Sequence, residues 1–399
     1  MNTTPQRVVI TGIGIVTSLG VGRSAHEALL AGTTSPKPVV DNARYAPYSV
    51  HPLPEIDWSA QIPKRGDQRQ MDDWQRLGVF TAGLALEDAG LKDDAEATAS
   101  MDMIVAAGGG ERDLTVDTLI IDEAANHNDR ERLLNEKLMT ELRPTLFLAQ
   151  LSNLMAGNIS IVHKVTGSSR TFMGEEAAGI SAVETAFARI RAGQSTHALV
   201  GGGHVAERPD MHFVFEGIQA LAQGDWQPLA ARSNQAGGGI VLGSAACFLV
   251  LESRERATAR GATIYAEIEA VEGDRGSRDD EGLERRLQRM MDGAATPDLI
   301  VSGASGLVGI TEREASVWRN SFPDAILRRY ANVVGHALEA QFPIGLGLAA
   351  LALKADGAIA PFEADDKALD KPIDTALVTT VGYVRGEGVA RLSRVGGKA

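Results

Sequence analysis

A chain of 399 residues with 44% hydrophobic content can bury a large core, and it is longer than one simple domain usually runs, so two fused halves are expected. The formal charge of −13 excludes an extended nucleic-acid-binding surface, because phosphate binding needs clustered cations that release counterions. A single cysteine, Cys247, excludes a disulfide within the chain and a four-cysteine zinc site, and its place in the apolar run 245–251 reads as core.

The opening Met1–Arg7 is polar and short, and strand-like residues and glycines follow it instead of a leader's apolar stretch. No apolar run is long enough to span a bilayer, so the expectation is a soluble cytoplasmic protein. Short β-branched runs at 8–10, 103–105, 198–200, 248–251, 299–301 and 376–378 predict buried strands, most of them ending in glycine. Between them, Asp73 to Ala89 has the spacing of an amphipathic helix, and strands alternating with helices imply an α/β sandwich. The charged stretch 113–142 predicts a helical excursion over one end of the core. A boundary near Arg254–Gly261 divides the chain into halves at 1–255 and 256–399. Residues 274–284 read as a polar loop and 396–399 as a frayed end, and no internal repeat is visible.

Three motifs are rejected. Thr11-Gly12-Ile13-Gly14 begins like a dinucleotide fingerprint, but Thr17 stands where that motif needs its third glycine. His336-Ala337-Leu338-Glu339 lacks the second histidine of a zincin helix, and His204 with Glu207 has no third ligand nearby, so neither a metal nor any other cofactor is expected.

Several segments taken in order resemble the elongating β-ketoacyl-acyl-carrier-protein synthases, the FabF-like branch of the thiolase superfamily. They are Val9–Gly14, Leu151–Ile161, Pro228–Leu229 through Gly239–Gly243, Leu249–Glu252, Arg260–Ala262 with Tyr265–Glu267, and Val334-Gly335-His336 with the small-residue helix after it. The resemblance implies a thiolase-like fold of two pseudo-duplicated halves forming a five-layer αβαβα sandwich.

The departures from that pattern bear on function. The family delivers its nucleophilic cysteine on a sharp turn at the start of a buried helix, and the matching stretch here is Gly167 to Gly179, with Glu176 at the cysteine position. A helix N-terminus stabilises a thiolate or a carboxylate alike, but a carboxylate's acyl adduct is an anhydride that water destroys. Ala304 falls where the family has its first histidine and Ala331 where it has its lysine, so only His336 is retained. The family's Gly-Phe-Gly-Gly-Thr-Asn loop, which helps form the oxyanion hole, corresponds to Gly382–Glu387, where Tyr383 stands at the family's Phe and Arg385 and Glu387 add charge in place of small residues. Losing groups that act as a unit is not rescued by the one that remains.

Three functional readings follow from the resemblance. The first is a chain-length-factor type subunit of a type II polyketide or fatty-acid-like system, aryl polyene pigments among its products. It pairs with an active ketosynthase as a heterodimer, or a heterotetramer, and meets acyl carrier protein through that complex. Pairing in this fold runs through the strand at Gly167–Met173, so Phe172, Met173, Glu175 and Leu148 are interface or tunnel candidates. The second is a malonyl-carrier-protein decarboxylase, opposed by the repulsion of roughly 4 kcal/mol between an ionised Glu176 and a malonyl carboxylate about 4 Å away, unless burial keeps Glu176 protonated. The third sets Glu176 or Glu175 with His336 as an acid/base pair. Against these stand the bland expectations that Glu176 bonds only to its own helix N-terminus and that His336 is a core histidine bonded to backbone. Carrier docking needs cations; Arg285, Arg286 and Arg289 form one modest cluster and Arg328 with Arg329 another, both expected to be solvated surface.

Overall fold

The computed structural model describes residues 5–32, 35–142, 148, 150–279 and 281–396. In chain order the first half holds β1 (Val8–Thr17), β2 (Gly20–Val21), α1 (Gly22–Leu30), β3 (Val50–His51), α2 (Arg65–Arg69), α3 (Asp73–Asp88), α4 (Ala95–Ser100) and β4 (Asp102–Ala107). It continues with α5 (Leu114–Ala124), α6 (Arg130–Thr140), α7 (Leu154–His163), β5 (Ser169–Met173), α8 (Glu176–Arg191), β6 (His197–His204), α9 (Pro209–Gly217), β7 (Leu242–Gly243) and β8 (Ala245–Ser253). The second half holds α10 (Arg254–Ala259), β9 (Ala266–Asp274), α11 (Gly282–Met290), β10 (Leu299–Ser302), α12 (Ile310–Ser321), β11 (Ile326–Arg329), α13 (Ala331–Val334), α14 (Gln341–Lys354), β12 (Thr375–Val381) and β13 (Glu387–Ser393).

The duplication that the sequence hides is plain in the topology. The first half orders its strands β5-β4-β6-β8-β1 and the second β11-β10-β12-β13-β9, each with three parallel strands followed by two antiparallel ones. Hydrogen bonding runs from one half-sheet to the other where Val8–Ile10 of β1 pairs with Ala266–Ile268 of β9. Helices α8 and α14 lie between the half-sheets, α3 and α7 cover the outside of the first, and α11 and α12 cover the second. These five layers are the thiolase-like arrangement, and the central strands β1, β4, β6 and β8 are buried along their whole length because both of their faces are covered.

The division at 255 falls inside α10, which packs on β1 and β8. The segment 113–142 forms α5 and α6, which pack on each other and leave Ile121, Leu134, Leu138 and Met139 exposed. The expected polar loop from 274 is shorter than predicted, since β9 runs to Asp274 and α11 begins at Gly282. Of the end expected to fray, 397–399 lie outside the described residues. Cys247 is fully buried on β8, and burial pushes its thiol pKa up.

The opening glycines serve packing. A Cβ on Gly12 would lie 2.4 Å from the Ala85 carbonyl oxygen and one on Gly14 2.1 Å from that of Thr81, so glycine here lets α3 lie against β1. Gly14→Ala is expected to destabilise the protein by about 2 kcal/mol or more, read as a lower urea midpoint, because neither backbone can yield without unpacking a layer.

Candidate functional site

The turn between β5 and α8 needs positive φ, supplied by Gly174 at +134°, and it starts α8 with the exposed Glu175 followed by Glu176, which is only 1% exposed. The carboxylate of Glu176 takes its partners from other loops. Its Oε1 lies 2.6 Å from His336 Nε2 and accepts the Tyr383 N–H at 3.2 Å. Both bland expectations are thereby corrected: Glu176 is not held by its own helix end, and His336 bonds a carboxylate instead of backbone. A buried acid that accepts the Tyr383 N–H and shares a hydrogen bond with an imidazole nitrogen has the satisfaction that burial requires.

His336 follows Gly335, whose φ of +77° and close approach to His51 and Gly243 leave no room for a Cβ. Its main chain is clamped, N–H to the Val241 carbonyl at 2.8 Å and carbonyl to the Gly243 N–H at 3.0 Å, which fixes the ring beside α8. Its Nδ1 is buried without a hydrogen-bond partner among the described residues.

Ala304 and Ala331 are buried together and form a small apolar cluster with Leu229. Leu229 is held by its own N–H donating to Asn332 Oδ1 at 2.7 Å, so the space between the two alanines is filled by hydrocarbon.

A second acid and imidazole stand beside this site, and the sequence reading missed their pairing. In the sequence, His336 with Glu339 and His204 with Glu207 are only rejected metal motifs, and Glu176 with His336 is the third reading; the fold sets His336 on Glu176 and places His204 Nδ1 3.7 Å from Glu339 Oε2. Glu207 instead accepts the Leu53 N–H at 2.7 Å. Burial, with help from Glu176 and Glu175, pushes the Glu339 carboxyl up to about 8, and burial pushes His204 down to about 3. Both line a small cavity of about 60 Å³ with the Gly108–Gly110 turn and Arg208. The available signal was one acid inside the otherwise apolar run that follows His336. Among the described residues no group of three or more His, Cys, Asp or Glu is placed to hold a metal ion.

The 382–387 loop closes the site. Gly382 N–H donates to the Gly386 carbonyl at 2.8 Å, the Tyr383 hydroxyl donates to Glu175 Oε1 at 3.4 Å, and the Tyr383 ring meets His336 edge-on at 6.5 Å and Phe215 at 5.0 Å between centroids. Arg385 is exposed, whereas Glu387 is buried against Arg278 and Arg286. Arg278 also donates to the carbonyls of Gly382 and Val384, pinning the loop.

The expectation of solvated arginine clusters holds for Arg285 and Arg289, which are exposed, and fails for Arg286, Arg328 and Arg329. Arg286 is bound to Glu387, Arg289 pairs with Asp274, and Arg285 pairs with Glu281. Arg328 is fully buried on the carbonyls of Ala360 and Lys367, and Arg329 is bound to Glu363 by two hydrogen bonds. Arg328 and Arg329 hold the structure together and offer no free docking charge.

On the other side of Glu176, β5 is an edge strand that among the described residues pairs only with β4. Its Phe172 is half-buried against the main core, Met173 is 73% exposed, and Leu148 and Leu151 are exposed nearby in sequence. Edge strands with open N–H and C=O groups are templates for pairing with another chain. No helix among the described residues is long and apolar enough to cross a membrane.

Known proteins share this architecture. The chain is 27% identical over 412 residues to the 3-oxoacyl-[acyl-carrier-protein] synthase 2 of Rhizobium meliloti, covering 92% of this chain and 91% of that one. It is 28% identical over 268 residues to the enzyme of the same description from Vibrio cholerae, a match that spans 62% of that protein's length. Two solved structures share the fold at 21% identity: the ishigamide ketosynthase/chain length factor, with a TM-score of 0.79, and a beta-ketoacyl synthase from Burkholderia phymatum, with a TM-score of 0.78. Each alignment covers 98% of this chain and 99% of the other. Residues 5–257 match the model of the beta-ketoacyl synthase N-terminal domain, and the chain belongs to the beta-ketoacyl synthase family.

Proposed function

We propose that this chain is a non-condensing, chain-length-factor-like subunit that pairs with a cysteine-bearing ketosynthase in type II polyketide or fatty-acid-like synthesis. The observation that carries the reading is the first turn of α8, where a buried carboxylate, bonded to His336 and to the Tyr383 N–H, stands at the position that the family pattern gives to a thiol. Transfer of an acyl group needs a nucleophile whose adduct survives until the second substrate arrives; a thioester does and a mixed anhydride in reach of water does not. The donor that the resemblance assigns to the oxyanion hole is already occupied by Glu176, and the alanine and leucine cluster supplies neither the first histidine nor the lysine of the family pattern. The similarity to a structure described as a ketosynthase/chain length factor supports the same reading, as does the open β5 edge with Phe172 and Met173 on it. Acyl carrier protein then reaches this subunit through the complex.

Co-expression with a ketosynthase from the same gene cluster that carries Thr-Ala-Cys in this motif tests the proposal. A stable complex of the two chains, with no acylation of this chain in isolation, is the expected result; turnover of acyl and malonyl carrier proteins by this chain alone would refute it. Met173→Asp is expected to weaken the complex at least tenfold, about 1.4 kcal/mol, because a charge is then desolvated at the pairing strand. Glu176→Cys by itself is expected to leave condensation undetectable, since Ala304 and Ala331 still supply no acid or base.

The 2.6 Å contact between Glu176 and His336 favours a second reading, in which the pair acts as acid and base in decarboxylation of a malonyl thioester or in related acyl chemistry. Carbon dioxide release from malonyl carrier protein by the isolated chain, abolished in Glu176→Gln, is the result that selects it.

A further inference from the structure

The two halves differ in how their outer edges are covered. On the first, α7 packs over β4 and β5; on the second, α12 packs on β12, and Ile300 of β10 and Leu327 of β11 face a groove between α12 and the segment 363–367. The groove encloses about 430 Å³, within the range of small-molecule sites, and lies at the opposite end of the strand order from β5. Trp318 and Phe322 are buried against the same apolar cluster as Ile300 and form one wall, with Ala325 beside them. The Trp318 indole N–H donates inward to Glu314 at 3.1 Å, so that ring adds no polar group to the groove.

Charge at the rim is uneven. Glu363 is bound by Arg329, and Asp366 accepts the N–H groups of Phe362 and Glu363 and faces Arg328 at 3.6 Å. Arg319 and Lys367 are exposed at the opening with no carboxylate partner among the described residues, and only Asp365 offsets them. An apolar trough with surplus cations at its mouth suits an amphipathic anion, because hydrocarbon leaves water along the floor while the head group keeps a charge-assisted hydrogen bond.

We propose that this groove is a binding site for a free medium-chain carboxylate, its chain on Ile300, Leu327 and Phe322 and its head at Arg319. The site is separate from Glu176 and does not depend on a partner subunit, so it is tested on the isolated chain. Decanoate and decanol are titrated by calorimetry into the purified protein and into Arg319→Glu and Ala325→Trp. Saturable one-to-one decanoate binding is expected, weakened at least about tenfold in Arg319→Glu with decanol affected less than twofold, and abolished for both ligands in Ala325→Trp, whose indole fills the trough. Failure of decanoate to saturate the wild-type protein overturns the proposal, as does equal affinity in Arg319→Glu. If Ala325→Trp does not fold, the exposed Arg319→Glu variant decides alone.

Discussion

Acidification below pH 6.5 is expected to unfold the protein in a steep transition, well before its carboxylates are titrated. Burial holds His26 and His163 down to about 4 and His51 and His204 down to about 3, from an ordinary value of 6.5. Carbonyl groups that favour the charged ring, Gly22 for His26 and Val79 for His163, offset burial only in part. Because each folded-state value lies below the unfolded one, the unfolded chain binds more protons as pH falls, so stability is complete above 6.5 and is lost toward 3 to 4. At pH 5 each site has given up about 2 kcal/mol, and four together roughly 8, which is comparable with the whole stability of an ordinary domain. Circular dichroism followed against pH, with the proton uptake derived from its slope, checks this. His163→Gln, which keeps a donor for the Val79 carbonyl, should make the transition shallower. Stability constant from pH 6.5 to 5 would count against the buried histidines as its cause.

Glu339→Gln is expected to stabilise the protein at alkaline pH by several kcal/mol and to leave it almost unchanged at pH 4.5. Burial beside Glu176 and Glu175 raises the Glu339 carboxyl from 4.5 to about 8. A folded-state value above the unfolded one means that the native protein holds this proton more tightly. The associated stability is therefore full below pH 4.5 and is lost as pH rises through 8. An amide keeps the shape and cannot ionise, so the variant should lack that decline, by an amount on the order of 3 to 5 kcal/mol at pH 9. Urea unfolding of both proteins at pH 5, 7 and 9 makes the comparison; parallel curves for the two would mean that the fold does not raise the Glu339 carboxyl above its unfolded value. The same variant leaves the contact between Glu176 and His336 in place, which separates the stability effect from any activity of that pair.

Much of the architecture was legible because it rests on local pattern. Alternating β-branched runs and amphipathic spacing located the principal buried strands and α3, and the order of motifs named the fold. The repeat of strand order between halves was hidden, since pairing between distant strands leaves no mark on either segment alone; β5 and β11 occupy equivalent edges yet read SRTFM and ILRR. The purpose of Gly12 and Gly14 was equally invisible, because the object they make room for is α3, some seventy residues away.

At the site, counting from flanking glycines placed Glu176 at the head of a helix, and chain order placed His336 near it in the fold. A linear pattern cannot state which of several acids and imidazoles meet. The resemblance already sets Glu176 with His336 as one reading, but nothing in the sequence sets His204 with Glu339, which only the fold brings together. The arginines Arg328 and Arg329 changed meaning for the same reason: charge in a sequence implies solvent, and only the packed chain reveals that carbonyls and Glu363 surround them. By itself the sequence determined the fold class, because residue identity and local spacing suffice for it. Burial, pairing and the raised carboxyl of Glu339 were decided by tertiary structure alone, because the electrostatic surroundings of a side chain are made by segments hundreds of residues apart.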